Sequence, residues 1–254
     1  MITFFISAIL ISMPRLFIGT SGWHYSHWAN GVFYPEGLSQ NKWLQYYIKF
    51  FNSVELNVSF YRLPAKKTFE NWNKRTPKNF YFIAKGSRFI THIKRLKDCK
   101  EYLALFFANL IGLKDKLACV LWQLPPGLKK DKVRLESFLK LLKDKRSLKT
   151  KHAFEFRHVT WFDNQIYDLL KEYNFCLCIA DSDFWPCVKE LTANFIYLRF
   201  HGRGGLYSGN YSNKELEEWA YFAKGTKRDI FTFFNNDAYG YAVKNALRFR
   251  ELLE

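Results

Sequence analysis

Residues 52–64 read NSVELNVSFYRLP, and most of this stretch alternates between apolar and polar side chains. One face carries the apolar residues Val54, Leu56 and Val58. The opposite face carries the polar residues Glu55, Asn57 and Ser59. A period of two predicts a strand over residues 53–60. If helices cover the apolar face, the carboxylate and the amide point to the inside of a barrel.

Strand patterns recur eight times along the chain, and each is followed by a helix pattern or a short crossover. The predicted strands are 16–22, 53–60, 80–86, 117–125, 152–157, 176–182, 195–202 and 229–236. The predicted helices are 38–51, 65–76, 97–113, 131–143, 163–174, 212–226 and 240–254, with at most a short one at 186–191. This order predicts an α/β fold, a single (β/α)8 TIM barrel with a shortened sixth crossover. A doubly wound open sheet is disfavoured because no GxGxxG follows the first strand.

The first residues, MITFFISAILISM, are apolar and uncharged. They are too short to span a bilayer as a helix, and they lack the basic start and the cleavage site of a signal peptide. We therefore expect Met13 to be the true start, residues 1–12 to be an extension and residues 13–254 to form the domain. Five cysteines without CxxC spacing, and no later transmembrane run, predict a cytoplasmic protein without membrane partners.

The net charge of +16 is unevenly distributed. Residues 62–151 hold 24 Lys and Arg against 7 Asp and Glu, so this segment carries the entire excess. One interpretation is a surface for nucleic acid or another polyanion. The other is a set of solvated helices rich in lysine, which the low share of arginine slightly favours.

Polar residues stand near the ends of seven predicted strands, where barrel enzymes carry their chemistry. A single one could belong to a structural ion pair, but about ten converging on one mouth predict a site, because each must be desolvated or paired. The predicted catalytic residues are Glu55, Glu155, Asp181 and His201. The predicted substrate- or anion-binding residues are Asn57, Tyr61, Lys85, His92, Gln123, Arg157, His158, Arg199, Gly202, Arg203, Asn235 and Asn236. The predicted aromatic rim consists of Trp23, Tyr25 and Trp161.

These residue types leave several chemistries open. The glycine-rich stretch RFHGRGG, residues 199–205, suggests a phosphate site after the seventh strand. Lys85 could form a Schiff base if burial lowered its pKa, although an ion pair with a carboxylate is the commoner arrangement. A divalent metal is less favoured because no HxH or HExxH spacing is present, and the cofactor is left unassigned. Glu55 and Glu155 could also serve a carbohydrate-active hydrolase.

We therefore predict an enzyme acting on a phosphate-bearing or nucleic-acid substrate at the carboxyl ends of the strands. In this hypothesis Glu55 and Glu155 serve as acid and base, and His201 moves protons. The alternative is a non-catalytic module that binds nucleic acid or another polyanion through residues 62–151. The oligomeric state is left open.

Several motifs, taken in order, resemble the YecE-like family, known as domain of unknown function 72. The motifs are IGTSGWHYSHW, VELNVSFYRLP, FIAKGSRFITH, WQLPP, FEFRHVTWF, YLRFHG and FFNNDAYGYAVKNA. They span most of the chain from Leu16 to Leu247. The resemblance implies a TIM barrel but no settled activity. It also implies an architecture similar to that of endonuclease IV and xylose isomerase, which suggests a role with nucleic acid only by analogy. This sequence lacks an evident His and Glu set for a three-metal cluster.

Overall fold

Eight parallel strands, each contributing four to seven residues, form the centre of the molecule. The computed structural model describes residues 13–144, 150–205 and 207–254. The strands are β1 Leu16–Thr20, β2 Ser53–Leu56, β3 Tyr81–Lys85, β4 Leu117–Gln123, β5 Lys151–Glu155, β6 Cys176–Asp181, β7 Phe195–Phe200 and β8 Asp229–Phe234. Their order in the sheet is β1-β8-β7-β6-β5-β4-β3-β2. This is the nearly closed (β/α)8 barrel that the alternating pattern predicts, and that prediction is confirmed. Residues 1–12, the predicted extension, lie outside the described residues.

Among the described residues, a helix follows every strand except β6. The helices are α1 Trp43–Tyr47, α2 Val58–Tyr61, α3 Lys66–Lys74, α4 Lys100–Leu110, α5 Lys132–Lys143, α6 Asn164–Tyr173, α7 Asn213–Gly225 and α8 Tyr241–Leu253. Between β6 and β7, residues 182–194 are all described and contain no helix, so the predicted shortening of the sixth crossover is confirmed. None of the helices in the described ranges combines the length and apolarity needed to cross a bilayer.

The predicted strand over 53–60 ends early. β2 stops at Leu56, and the chain turns at Asn57 into the short helix α2. The Ser59 hydroxyl explains the turn, because its oxygen lies 2.9 Å from the carbonyl oxygen of Leu56 and 2.7 Å from that of Lys85. Placing Val58 against the helices was therefore wrong, and its side chain is 44% exposed.

Side chains close the barrel between its first two strands. The Asn52 amide accepts a hydrogen bond from the Ile18 N–H at 3.1 Å and donates one to the carbonyl of Leu16 at 2.5 Å. Nearby, the Tyr47 hydroxyl accepts from the Thr20 N–H at 3.0 Å and donates to the Ser53 carbonyl at 3.1 Å. These hydrogen bonds satisfy backbone groups at the facing edges of β1 and β2, which direct hydrogen bonds between the two strands would otherwise pair.

The inside of the barrel is layered by polarity. Toward the amino ends of the strands it is apolar, with the rings of Phe17 and Phe231 stacked at 4.1 Å. Toward the carboxyl ends the inward positions become charged. Every second residue of a strand points into the barrel. The inward residues near the carboxyl ends of the strands therefore form one layer, and this layer holds the charges.

Candidate active site

Arg199 occupies the centre of the charged layer and is only 1% exposed. Its Nη2 lies 2.6 Å from Oε1 of Glu55 and its Nε 3.0 Å from Oε2 of the same carboxylate. Its Nη1 donates to Glu155. The Tyr197 hydroxyl donates a further hydrogen bond to Glu55 at 2.7 Å. One guanidinium on β7 therefore joins carboxylates from β2 and β5.

Opposite charges in this network offset the effect of burial on the pKa values of Glu155 and Arg199. Burial by itself would raise the pKa of Glu155, but Arg199 and Arg157 hold that pKa well below its ordinary value. Burial would lower the pKa of Arg199, but the two carboxylates beside it hold that pKa well above its ordinary value. Both glutamates are fully buried and Arg199 lies between them. Both carboxylates are thus engaged by Arg199, and their predicted acid and base roles, like the alternative of sugar hydrolysis, stay predictions.

Arg157 and His201 flank the same network. Nε of Arg157 donates to Oε1 of Glu155 at 2.7 Å, and its guanidinium lies 3.9 Å from the centre of the Trp185 ring. The ring of His201 is fully buried, and burial together with Arg199 lowers its pKa to about 4. Its Nδ1 lies 3.2 Å from the Asn235 amide. His201 is therefore neutral near pH 7, and its predicted role in moving protons stays a prediction.

Lys85 ends β3 and is 7% exposed. Burial first and Arg199 second lower its pKa to about 7. Its Nζ lies 4.2 Å from the centre of the Phe60 ring, and no residue of the described ranges accepts a hydrogen bond from it or forms an ion pair with it. The ion pair expected as the commoner arrangement is thus absent from the described part of the chain.

A cleft of about 1080 Å3 opens above Lys85, bordered by the segments that follow β1, β2, β7 and β8 and by Lys85 itself at the end of β3. Six of the predicted site residues line it: Trp23, Tyr25, Asn57, Tyr61, Lys85 and Asn235. Tyr61 is 77% exposed at the edge, whereas Lys85 is buried, so the lysine forms part of the floor. The cleft is therefore aromatic at its walls and polar at its base, as ligand sites commonly are.

Other lining residues were missed by the sequence analysis. Arg75, just after α3, is exposed at the cleft edge, and its Nη2 lies 2.6 Å from Oε1 of Gln45. Asp237, after β8, pairs with His27 at 3.0 Å, and burial raises its pKa to about 6. Asp237 continues the polar end of β8 by one residue and could have been found that way. No periodicity marks Arg75.

Of the loop after β7, Tyr207 lines the cleft, whereas the glycine-rich part predicted to bind phosphate does not. Arg203 pairs with Asp181 at 2.7 Å, and the N–H of Gly204 donates to Asp183 at 2.8 Å. The N–H of Gly202 donates to the Tyr211 hydroxyl at 3.1 Å. These donors of the predicted phosphate site are therefore occupied by groups of the protein. Asp181 lies on the outward face of β6, since Cys178 and Ala180 border the interior.

The remaining predicted residues have local roles. The Asn236 amide donates to Asn245 at 2.8 Å, and His158 caps a short turn by accepting from the Thr160 N–H at 3.2 Å. Trp161, predicted for the rim, is fully buried and stacks on Phe156 at 4.7 Å.

Gln123 and His92 lie beside the charged layer. Nε2 of Gln123 lies 3.5 Å from Nε2 of His92 and donates to the carbonyl of Leu124 at 2.8 Å. Burial, together with Lys85 and Arg157, lowers the pKa of His92 to about 4. Within the described ranges, no three His, Cys, Asp or Glu side chains are grouped so that they could hold a metal ion.

The fold and the cleft define a TIM-barrel protein with a charged layer at the carboxyl ends of its strands and a buried lysine in an aromatic cleft. A family-wide sequence profile described as "Protein of unknown function DUF72" matches residues 17–254. The chain belongs to this family, and the resemblance inferred from its motifs is confirmed.

Relatives match either nearly the whole chain or a little under half of it. The UPF0759 protein YunF of Bacillus subtilis (strain 168) is 31% identical over 277 residues, covering 94% of this chain and 95% of that protein. The UPF0759 protein YecE of Escherichia coli (strain K12) is 26% identical over 110 residues, covering 43% and 38%. A solved DUF72 family protein of Thermotoga maritima MSB8 has a TM-score of 0.82 at 30% identity, covering 94% of this chain and 99% of that one. These names establish the family and assign no activity.

Proposed function

We propose that this protein is an enzyme that acts on a small phosphate-bearing substrate held in the cleft above Lys85. The observation that carries the proposal is the isolated position of the Lys85 amine. In the layer beneath the cleft, the guanidinium groups of Arg157 and Arg199 match the carboxylates of Glu55 and Glu155, and Lys85 is left without a countercharge there. An anion in the cleft would supply it.

The other charged residues that line the cleft also favour an anionic ligand. Asp237, the acidic residue among the lining residues of the described ranges, is already paired with His27. Arg75 stands at the edge and hydrogen-bonds only to neutral partners there, including Gln45. We place the phosphate at Arg75 and the reacting part of the substrate toward Lys85, because the exposed cation meets the ligand first and the buried one lies deeper.

Binding of small phosphate compounds tests this proposal. We expect one or more of inorganic phosphate, glycerol 3-phosphate, dihydroxyacetone phosphate and ribose 5-phosphate to bind, as measured by isothermal titration calorimetry. Arg75→Gln and Lys85→Met should each weaken that binding by about tenfold or more, since a hydrogen bond to a charged group contributes roughly 1.5–3 kcal/mol. Arg248→Gln is the matched control, because Arg248 pairs on the surface with Glu217 and Glu251. Binding that neither cleft variant weakens would contradict the proposal.

A second function, binding of nucleic acid, is favoured by the charge of residues 62–151. In the structure Lys66, Lys67, Lys74 and Lys78 are all exposed on or near α3, the helix that also contributes Trp72 to the cleft wall. A polyanion could therefore lie along α3 and reach the cleft.

The salt dependence of DNA binding tests this second function. If these four lysines neutralise phosphates of a duplex, changing all four to Gln should reduce the slope of log Kd against log salt by roughly 3–4. The control carries the same loss of charge elsewhere, through Lys214, Lys224, Lys227 and Lys244, which are also exposed. Equal slopes for the two variants in fluorescence-anisotropy titrations would exclude α3 as the binding surface.

A further inference from the structure

The surroundings of Lys85 are unusual for a lysine that serves only stability. Buried lysines are rare and are normally paired, because an unpaired buried ammonium group is costly. Here Nζ faces the Phe60 ring at 4.2 Å, and no carboxylate of the described ranges lies within ion-pair distance of it. The lysine is nevertheless held firmly, since the Ser59 hydroxyl lies 2.7 Å from its carbonyl oxygen. The backbone is fixed while the amine is left for another partner.

The charged layer below favours the uncharged amine. With Lys85 neutral, two arginines balance two glutamates; with Lys85 protonated, the layer has one positive charge in excess. Burial and the proximity of Arg199 lower the pKa of Lys85 to about 7, so a large fraction of the amine carries a free lone pair at neutral pH. An ordinary lysine, with a pKa near 10.4, has roughly a thousandth of that fraction.

We infer that Lys85 is a nucleophile that forms an imine with an aldehyde or ketone substrate carrying an anionic group. The inference rests on the proposed function, because it places the reaction in the same cleft and names the group that reacts. Lysine amines desolvated in apolar surroundings or set next to another cation are activated for this chemistry. Lys85 satisfies both conditions, through Phe60 and through Arg199.

The step balances without a cofactor. The lone pair of Nζ attacks the carbonyl carbon and a C–N bond forms. The carbonyl oxygen then leaves as water, taking the two protons of the neutral amine, and a C=N bond remains. Protonation of the imine restores a positive charge at the position of Nζ, and the anionic group of the substrate balances it. The protonated imine withdraws electrons from the adjacent carbon, which prepares a C–H or C–C bond there for cleavage.

Reductive trapping tests the inference. Sodium borohydride transfers a hydride to the imine carbon while water supplies a proton to nitrogen, which leaves a stable secondary amine on the protein. The probes are dihydroxyacetone phosphate and pyruvate near neutral pH, with glycerol 3-phosphate as the phosphate compound that lacks a carbonyl. We expect peptide mass spectrometry to find an adduct on Lys85 with a carbonyl probe and none with glycerol 3-phosphate. Lys85→Met and Lys85→Arg should abolish it, and Lys132→Met should not.

A second measurement does not depend on the choice of carbonyl compound or on the folding of a variant. Trace labelling with acetic anhydride across a range of pH reports when each lysine loses its proton. We expect Lys85 to reach half of its maximal reactivity near pH 7 when accessibility is corrected with the denatured chain. If Lys85 instead titrates like an ordinary surface lysine, or if trapped label spreads evenly over the lysines, the inference is overturned.

The two proposals fail separately. A phosphate ligand that binds through Lys85, with no trapped adduct and an ordinary titration, would leave the proposed function standing and reject imine formation. A pyruvate adduct on Lys85, with no phosphate compound binding, would support imine formation and reject a phosphate-bearing substrate.

Discussion

Arg199→Met is expected to lower the free energy of unfolding by about 3–5 kcal/mol, because it leaves two buried carboxylates without their shared partner. Arg199 makes two hydrogen bonds to Glu55 and one to Glu155, and all three side chains are excluded from water. Methionine keeps much of the side-chain volume, so the loss is mainly electrostatic. The melting temperature should fall by roughly 10 °C. Urea unfolding followed by tryptophan fluorescence measures the effect.

The stability of this variant should depend less steeply on pH than that of the native protein in the acid range. Natively, the folded-state pKa of Glu155 lies well below its ordinary value, so its contribution is present above about pH 4.3 and is lost as pH falls through the folded-state pKa. Without Arg199, Glu155 keeps Arg157 as its partner, and its pKa should rise toward its unfolded value. The stabilising contribution of Glu155 above about pH 4.3 should then shrink, so the variant should lose less stability than the native protein as the pH is lowered from 7 toward 3.

Two further variants make the result specific. Arg248→Met removes a surface arginine whose partners, Glu217 and Glu251, are more than half exposed, and it should cost no more than about 1 kcal/mol. Combining Arg199→Met with Glu55→Gln should recover part of the loss, because Glu155 keeps Arg157 as its partner and no unpaired charge is left at position 55. A small cost for Arg199→Met, with an unchanged pH profile, would show that the network is not held as the structure has it.

The sequence predicted the barrel because eight alternating segments admit few other architectures. It also predicted which strands bring charges to the mouth, since inward positions follow a period of two. The same rule could have placed Asp181 on the outside of β6, because Cys176 and Cys178 occupy the inward register. Asp181 does stand at the end of a strand, but its parity puts it on the outer face.

Other features of the site lie beyond such patterns. The alternation of a strand shows which face a side chain is on, but it does not show which residues that side chain contacts. It could not predict that Arg199 forms ion pairs with both glutamates and that Lys85 forms none with them. Loop residues such as Arg75 and Asp237 follow no period at all. Trp161 was expected at the rim because it follows a strand, yet its ring packs inward on Phe156. Assigning such positions requires distances between segments far apart in the chain.

The second large loss of stability is expected for Gly19→Ala, at the junction between β1 and β2. These strands are the two ends of the strand order, and they approach closely at Gly19. A Cβ atom there would lie 2.1 Å from the carbonyl oxygen of Ser53 and 2.8 Å from the Tyr47 hydroxyl. No rotamer change relieves a clash with backbone, so the strands must separate. We expect a loss of about 3 kcal/mol in the free energy of unfolding, at the upper end for overpacked positions.

Gly127→Ala is the control, because a Cβ atom at Gly127 would meet no atom within 4 Å among the described residues. It should change stability by no more than about 0.5 kcal/mol in urea unfolding. Equal stabilities for the two variants would mean that β1 and β2 can part without cost. The expected difference matters for the cleft, since Trp23 follows β1 and Asn57 follows β2, and both line it. Parting the strands should therefore also weaken the binding of any ligand that the cleft holds, which links closure of the barrel to the proposed site.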